Sequence, residues 1–96
     1  DIKLIEKYGA VSEEIAILMA EGALKHSNAN LTISVTGVAG PGGGTKINPV
    51  GRVHMGIAKE NKKTEHFLYT FDDKGRQYIR ELTTLMALEN ILKFIN

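Results

Sequence analysis

The sequence contains no cysteine and no tryptophan, and only two of its 96 residues are proline. Without cysteine the chain cannot form a disulfide framework, a zinc knuckle or a thiol nucleophile. No run approaches the roughly eighteen apolar residues of a membrane-spanning helix, and no signal peptide is visible. Twelve basic and eleven acidic residues leave a net charge of +1, which removes the main argument for a nucleic-acid or anionic-membrane surface. We therefore expect a cytoplasmic protein whose partners include neither nucleic acid nor membrane.

The residues that are present suit one small globular domain. Hydrophobic residues make up 43% of the chain and charged residues 24%, which is enough for a thin core at this size. The chain begins at Asp1 rather than at a methionine. We therefore expect an upstream part of the translated frame to be missing, and any site that needs residues from that part to be incomplete in this sequence.

Helical periodicity is found in two long segments. Ser12 is a good N-cap, and the two glutamates after it place negative charge at the positive end of the helix dipole, which predicts a helix over residues 13–27. A second helix is predicted over residues 76–95, and a short helix or turn over residues 2–8. The longest helix carries one apolar stripe, formed by Leu82, Leu85, Leu88, Leu92 and Ile95.

Alternation of apolar and polar residues predicts three strands between these helices. They cover residues 31–36, 52–58 and 64–71. The short polar connection between the last two indicates an antiparallel hairpin. The order helix, strand, strand, strand, helix predicts an α/β sandwich with a mixed sheet.

A glycine-rich segment, residues 36–45, joins the first two predicted strands and contains five glycines. Glycine lets the backbone turn sharply and aim several N–H groups at one anion, and open α/β sheets usually bind ligands directly after a strand. The segment fits neither the Walker loop nor the dinucleotide fingerprint, because Gly42 is followed by two more glycines and position 45 is a threonine. Two interpretations stay open: a flexible connection, or a binding loop for phosphate or carboxylate.

Arg76 follows a glycine at the start of the last predicted helix. The helix dipole opposes a cation at that end, so helix stability does not explain the residue. One interpretation is that Arg76 completes an anion site together with the helix N-terminus. The alternative is an ordinary surface arginine that pairs with Asp72 or Asp73.

The three histidines, His26, His54 and His66, share no metal-ligand spacing. His54 and His66 stand on adjacent predicted strands and are candidates to face each other. Two imidazoles without a carboxylate nearby in sequence are a weak metal signal, so we interpret them as ordinary sheet positions and expect no metal.

Five segments of the sequence form a distinctive set: Tyr8-Gly9-Ala10-Val11-Ser12-Glu13-Glu14, Thr36-Gly37-Val38-Ala39-Gly40-Pro41, Gly43-Gly44-Thr45, Pro49-Val50-Gly51 and Arg76-Gln77-Tyr78-Ile79-Arg80. Together they resemble the CinA C-terminal domain family, which comprises competence/damage-inducible proteins and stand-alone nicotinamide-nucleotide amidases. The resemblance covers essentially all 96 residues. It implies a layered α/β/α sandwich with a mixed sheet, of which residues 1–96 form a single incomplete domain, about the C-terminal three-fifths.

The resemblance also implies a reaction: hydrolysis of the carboxamide of nicotinamide mononucleotide to nicotinate mononucleotide and ammonia, without a cofactor. Members use a serine in a Ser-Cys-Thr-Gly-Gly segment, assisted by a tyrosine and a lysine. These segments precede the Tyr8-Gly9-Ala10 motif, so the resemblance implies no catalytic residue in this chain and no activity of the chain alone.

What the resemblance assigns to this chain is substrate binding. The implied positions are Thr36, Gly37, Ala39, Gly40, Gly43, Gly44, Thr45 and Arg76, with Arg76 on the phosphate. The expected partners are nicotinamide mononucleotide or a related nucleotide, and either a second copy of the chain or the missing N-terminal segment of the same domain. The alternative function is a non-catalytic nucleotide-binding or oligomerisation module of a CinA-like protein.

Overall fold

The structure of the chain is a computed structural model that describes residues 11–40, 42–45 and 49–95. Its elements agree with the predicted ones to within two residues at each end. They are α1 (Glu13–Lys25), β1 (Leu31–Gly37), β2 (Arg52–Lys59), β3 (Glu65–Thr70) and α2 (Arg76–Ile95). The helix or turn predicted over residues 2–8 lies outside the described residues.

Local sequence signals explain where both helices begin. The backbone of Ser12 is extended, and its hydroxyl accepts a hydrogen bond from the Ile15 N–H at 3.3 Å, which satisfies one of the free donors of the first turn of α1. Before α2, Gly75 adopts a positive φ of 101°, which favours glycine. The carbonyl of Gly75 then accepts the Ile79 N–H at 3.2 Å.

The three strands form one sheet in the order β1-β2-β3, and both neighbouring pairs are antiparallel. The α/β class is therefore confirmed, but the sheet of the described strands is antiparallel throughout rather than mixed as predicted. A parallel pair needs a long crossover connection. Here the glycine-rich segment returns directly instead, because the Val38 N–H donates to the Arg52 carbonyl and the Gly51 N–H to the Val38 carbonyl.

Helix α1 covers one face of the sheet, and that face is the polar side of β1. The hydroxyl of Ser34 donates to the Ala16 carbonyl at 2.5 Å, and the hydroxyl of Thr32 donates to the Ala20 carbonyl at 2.6 Å. Gly56 of β2 lets the helix approach, since a Cβ at that position would overlap the Ala16 backbone. Ser34 is only 6% exposed, and its buried hydroxyl is hydrogen-bonded, as buried polar groups must be.

Helix α2 packs over β2 on the other face, which completes the α/β/α layering. The core there is formed by Val53, Met55 and Ile79. Further along α2, Asn90 is 1% exposed, and its side-chain amide donates to the Tyr69 hydroxyl at 2.8 Å. Neither helix within the described residues combines the length and apolar character that a bilayer span requires.

The apolar stripe predicted on α2 does not face the sheet. Four of its members, Leu85, Leu88, Leu92 and Ile95, are between 51% and 63% exposed. The side of α2 that packs against the sheet instead carries Ile79, Met86 and Asn90. The stripe is therefore an outward-facing apolar surface of the described part of the chain.

Candidate functional site

The glycine-rich segment forms a loop at the end of the sheet where β1 stops and β2 starts. Gly40 and Gly43 adopt positive φ angles of 84° and 91°, which side chains rarely allow. A Cβ on Gly40 would lie 2.9 Å from a methyl group of Val50, and a Cβ on Gly44 would lie 2.9 Å from the Val50 backbone nitrogen. The loop thus needs glycine both for its turns and for the close approach of its two arms.

The predicted binding residues all lie in or beside this loop, at different depths. Thr36 and Gly37 are the last two residues of β1. Ala39 packs against the core beneath α2, and Gly40 is buried. Gly43, Gly44 and Thr45 are exposed, so their backbone groups are the accessible part of the loop.

Arg76 is turned toward the loop from the start of α2. Its Nη1 donates to the Gly40 carbonyl at 3.4 Å, a long and therefore weak hydrogen bond. Among the described residues Arg76 makes no ion pair with Asp72 or Asp73. The first turn of α2 carries no acidic residue, so no described side chain in that turn neutralises the helix N-terminus.

Thr36 and Arg76 lie at the same end of the sheet but on opposite faces. Side chains alternate along a strand, so Thr36 shares the α1 face with Ser34, whose hydroxyl reaches α1. Arg76 begins the helix that covers the other face. Thr36 leads into the loop along the chain, and Arg76 contacts the loop through the Gly40 carbonyl.

An apolar groove of about 410 Å³ lies beside the loop, between the end of β1 and α2. Its walls include Val35, Ala39, Ile79 and Leu88, and its charged lining residue is Arg80. Val35 is 41% exposed because α2 packs over β2 and leaves β1 uncovered on this face. The groove suits an apolar group rather than a phosphate, so the loop and Arg76 stay the candidates for anion binding.

Three polar side chains lie close together on the α1 face, although the sequence did not predict them as one group. Nδ1 of His54 and Nε2 of His66 are 2.8 Å apart. Nδ1 of His66 lies 3.6 Å from a carboxylate oxygen of Glu13. His54 is 8% exposed. Burial lowers the pKa of His54 below its usual value, and the neighbouring His66 and Arg52 lower it further.

The prediction that His54 and His66 face each other is confirmed, but their connection to α1 was missed. In the sheet register, His66 pairs with Gly56, which places it diagonally from His54. The alternation of β2 and β3 was a signal for this pair, whereas Glu13 was interpreted only as a charge on the helix dipole. Among the described residues no group of three or more potential ligands is arranged to hold a metal ion.

Comparisons with known proteins agree on one family. The family model of the CinA C-terminal domain matches residues 1–95. A CinA-like protein from Synechocystis is 41% identical over 92 residues, which cover 95% of this chain and 22% of that protein. A putative competence-damage inducible protein from Clostridium botulinum is 48% identical over 86 residues, covering 88% of this chain and 20% of that protein.

Solved structures of the same family have the same fold. The competence/damage inducible protein CihA from Agrobacterium tumefaciens matches with a TM-score of 0.95 and 40% identity, over 100% of this chain and 58% of that one. A CinA superfamily protein from Escherichia coli matches with a TM-score of 0.87 and 29% identity, over 98% of this chain and 54% of that one. The chain thus spans about a fifth of these curated relatives and little more than half of these solved chains.

Proposed function

The chain belongs to the CinA C-terminal domain family, and we propose on that basis that the full-length protein hydrolyses the carboxamide of nicotinamide mononucleotide. The products are nicotinate mononucleotide and ammonia, and the reaction needs no cofactor. In this proposal the chain supplies the glycine-rich loop and Arg76, which bind the nucleotide. Because the proposed substrate is a nucleotide, we expect the reaction to take place in the cytoplasm.

The observation that carries the proposal is the contact between Arg76 and the loop. The guanidinium reaches the Gly40 carbonyl with one nitrogen, and its remaining N–H groups are suited to the oxygens of a phosphate. The exposed backbone of Gly43 and Gly44 lies in the same loop, where several N–H groups can bind one anion. Both features favour a ligand with a phosphate group.

The chemical step requires a nucleophile, and the family resemblance assigns it to a serine outside this chain. The serine oxygen attacks the amide carbon, the C–N bond breaks, and the nitrogen leaves as ammonia after taking up a proton. Water then attacks the resulting ester, which releases the carboxylate and restores the serine. Backbone N–H groups stabilise the negative oxygen that develops during both attacks.

The experiment is an assay of ammonia release by the full-length protein. We expect turnover with nicotinamide mononucleotide and much slower turnover with free nicotinamide, which lacks the phosphate that Arg76 binds. A Ser→Ala variant at the serine of the upstream segment is the control for contaminating amidases. Absence of ammonia release above that control contradicts the enzymatic function.

A second candidate function, a non-catalytic oligomerisation module, is favoured by the outward-facing stripe of α2. Leu85, Leu88, Leu92 and Ile95 are spaced by three, four and three residues, which is the spacing of paired helices. In this alternative, α2 pairs with α2 of a second copy. We then expect a dimer of the full-length protein in sedimentation that Leu88→Asp dissociates, whereas Lys93→Asp, outside the stripe, does not. A wild-type monomer excludes this alternative.

A further inference from the structure

Three polar side chains from separate elements form a continuous line on the α1 face of the sheet. Glu13 lies in the first turn of α1, His66 on β3 and His54 on β2. His66 is in the middle, because its Nδ1 faces the Glu13 carboxylate at 3.6 Å and its Nε2 faces Nδ1 of His54 at 2.8 Å. Since His66 uses its two nitrogens in opposite directions, the three groups do not converge on a common point as metal ligands would.

The chemistry of the three groups determines which atom carries a proton and which atom accepts in each contact. At 3.6 Å the Glu13 carboxylate is beyond hydrogen-bond distance, but its negative charge favours the proton of His66 on the nearer nitrogen, Nδ1. The Nε2 of that tautomer is an acceptor, so the short contact is made when His54 donates from its own Nδ1. The proton of neutral His54 is then on Nδ1, and its Nε2 is left as an acceptor on the side of the ring away from His66.

The position of His54 connects this line to the proposed site. His54 pairs directly with Thr36 in the β1–β2 register, so the two residues are neighbours on the same face at the end of the sheet. Thr36 is the residue from which the glycine-rich loop starts. An acceptor on this face complements the N–H donors of the loop, which Arg76 contacts from the opposite face.

We infer that Glu13 and His66 are positioning residues that hold His54 as its Nδ1–H tautomer, and that Nε2 of His54 accepts a hydrogen bond from an O–H or N–H group of the bound nucleotide. This inference rests on the proposed function for the identity of the ligand. The tautomer itself does not depend on it.

The surroundings of His54 favour its neutral form, in which Nε2 can accept a hydrogen bond. From α1 it faces Glu13 and Glu14, from β3 it faces His66, and Arg52 lies on its own strand. Burial, His66 and Arg52 lower the pKa of His54, in that order, and the two glutamates oppose them. The lowered pKa favours the neutral ring, and Nε2 stops accepting when the pH falls through this lowered pKa.

The tautomer is tested by NMR of the full-length protein labelled with ¹⁵N in histidine, at pH 7.5. We expect His54 to carry its proton on Nδ1, the opposite of the preference of free histidine. Glu13→Gln removes the carboxylate and is expected to give a mixture of tautomers. Glu14→Gln is the matched control, because it removes the neighbouring charge without touching His66, and it is expected to leave the tautomer unchanged. A proton on Nε2 of His54, or an unchanged tautomer in Glu13→Gln, overturns the inference.

The ligand contact is tested by calorimetric titration with nicotinate mononucleotide, using two variants that separate the ring nitrogens. In His54→Asn, the amide nitrogen replaces Nδ1 and no group replaces Nε2, so we expect affinity to fall about three- to tenfold. In His54→Gln, the amide reaches the position of Nε2, so we expect a smaller loss. Wild-type affinity in His54→Asn overturns the ligand contact. If wild type neither binds nor hydrolyses the mononucleotide, the proposed function and the ligand contact fail together, whereas the tautomer of His54 is still measured independently.

Discussion

Replacing Arg76 by alanine in the full-length protein is expected to weaken nucleotide binding without changing the fold. Nη1 of Arg76 contributes only the 3.4 Å hydrogen bond to the Gly40 carbonyl, so little folding energy depends on it. A charge-assisted hydrogen bond to a phosphate is worth about 1.5–3 kcal/mol. Its loss corresponds to a roughly ten- to a hundredfold rise in Kd, measured by calorimetry with nicotinate mononucleotide.

Two further variants make this prediction specific. Arg76→Lys keeps the charge but not the planar fork, so we expect an intermediate affinity. Arg80→Ala removes an exposed arginine one turn later that lines the groove, and we expect it to leave phosphate binding unchanged. If Arg76→Ala binds the mononucleotide as wild type does, or if both alanine variants weaken binding equally, the assignment of Arg76 to the phosphate is refuted.

Three other predictions follow from the described contacts. Thr36→Ala is expected to reduce affinity or turnover about two- to tenfold, the value of one neutral hydrogen bond, in a protein that stays folded by circular dichroism; wild-type affinity and turnover would contradict its role in binding. Gly56→Ala is expected to lower the free energy of unfolding in urea by about 1–3 kcal/mol, because the new Cβ would overlap the Ala16 backbone. Gly22→Ala is the control: a Cβ there meets no neighbour within 4 Å, so this variant is expected to stabilise α1 by about 0.5–1 kcal/mol. Folding lowers the pKa of His54, so the unfolded chain takes up a proton on this residue at a higher pH than the folded chain does. The free energy of unfolding is therefore expected to fall as the pH drops below about 6.5. This decline should be smaller in His54→Gln, and an identical pH dependence in the variant would contradict the lowered pKa of His54.

The loop of the candidate site was predictable because its residues are neighbours in sequence. The loop is a continuous run of residues after a strand, and Arg76 follows a glycine at a helix start. The contact between them is a tertiary feature, because Arg76 lies 36 residues beyond Gly40 in the chain. That Thr36 and Arg76 lie on opposite faces was not predicted, because it depends on which helix covers which face.

The group formed by Glu13, His66 and His54 was only half predictable. Two histidines on adjacent strands of a hairpin are expected to be near each other, and the register places them 2.8 Å apart through their ring nitrogens. The carboxylate comes from α1, more than fifty residues before His66 in the chain. Its approach is set by the packing of Ala16 against Gly56 and Ser34, which no local pattern reveals.

The sequence by itself determined the helices and strands, since Ser12, the alternation of residues 31–36 and the glycine before Arg76 act within a few residues of the chain. Only the tertiary structure decided which faces are covered. It buries Ser34 at 6% exposure and leaves Val35 at 41% and Leu88 at 55%, against the simple rule that apolar faces are turned inward. The physical reason is that a periodic pattern specifies two faces of an element, whereas burial is decided by the elements that pack on each face. Here α1 packs on the polar face of β1 through hydrogen bonds, and α2 lies over β2.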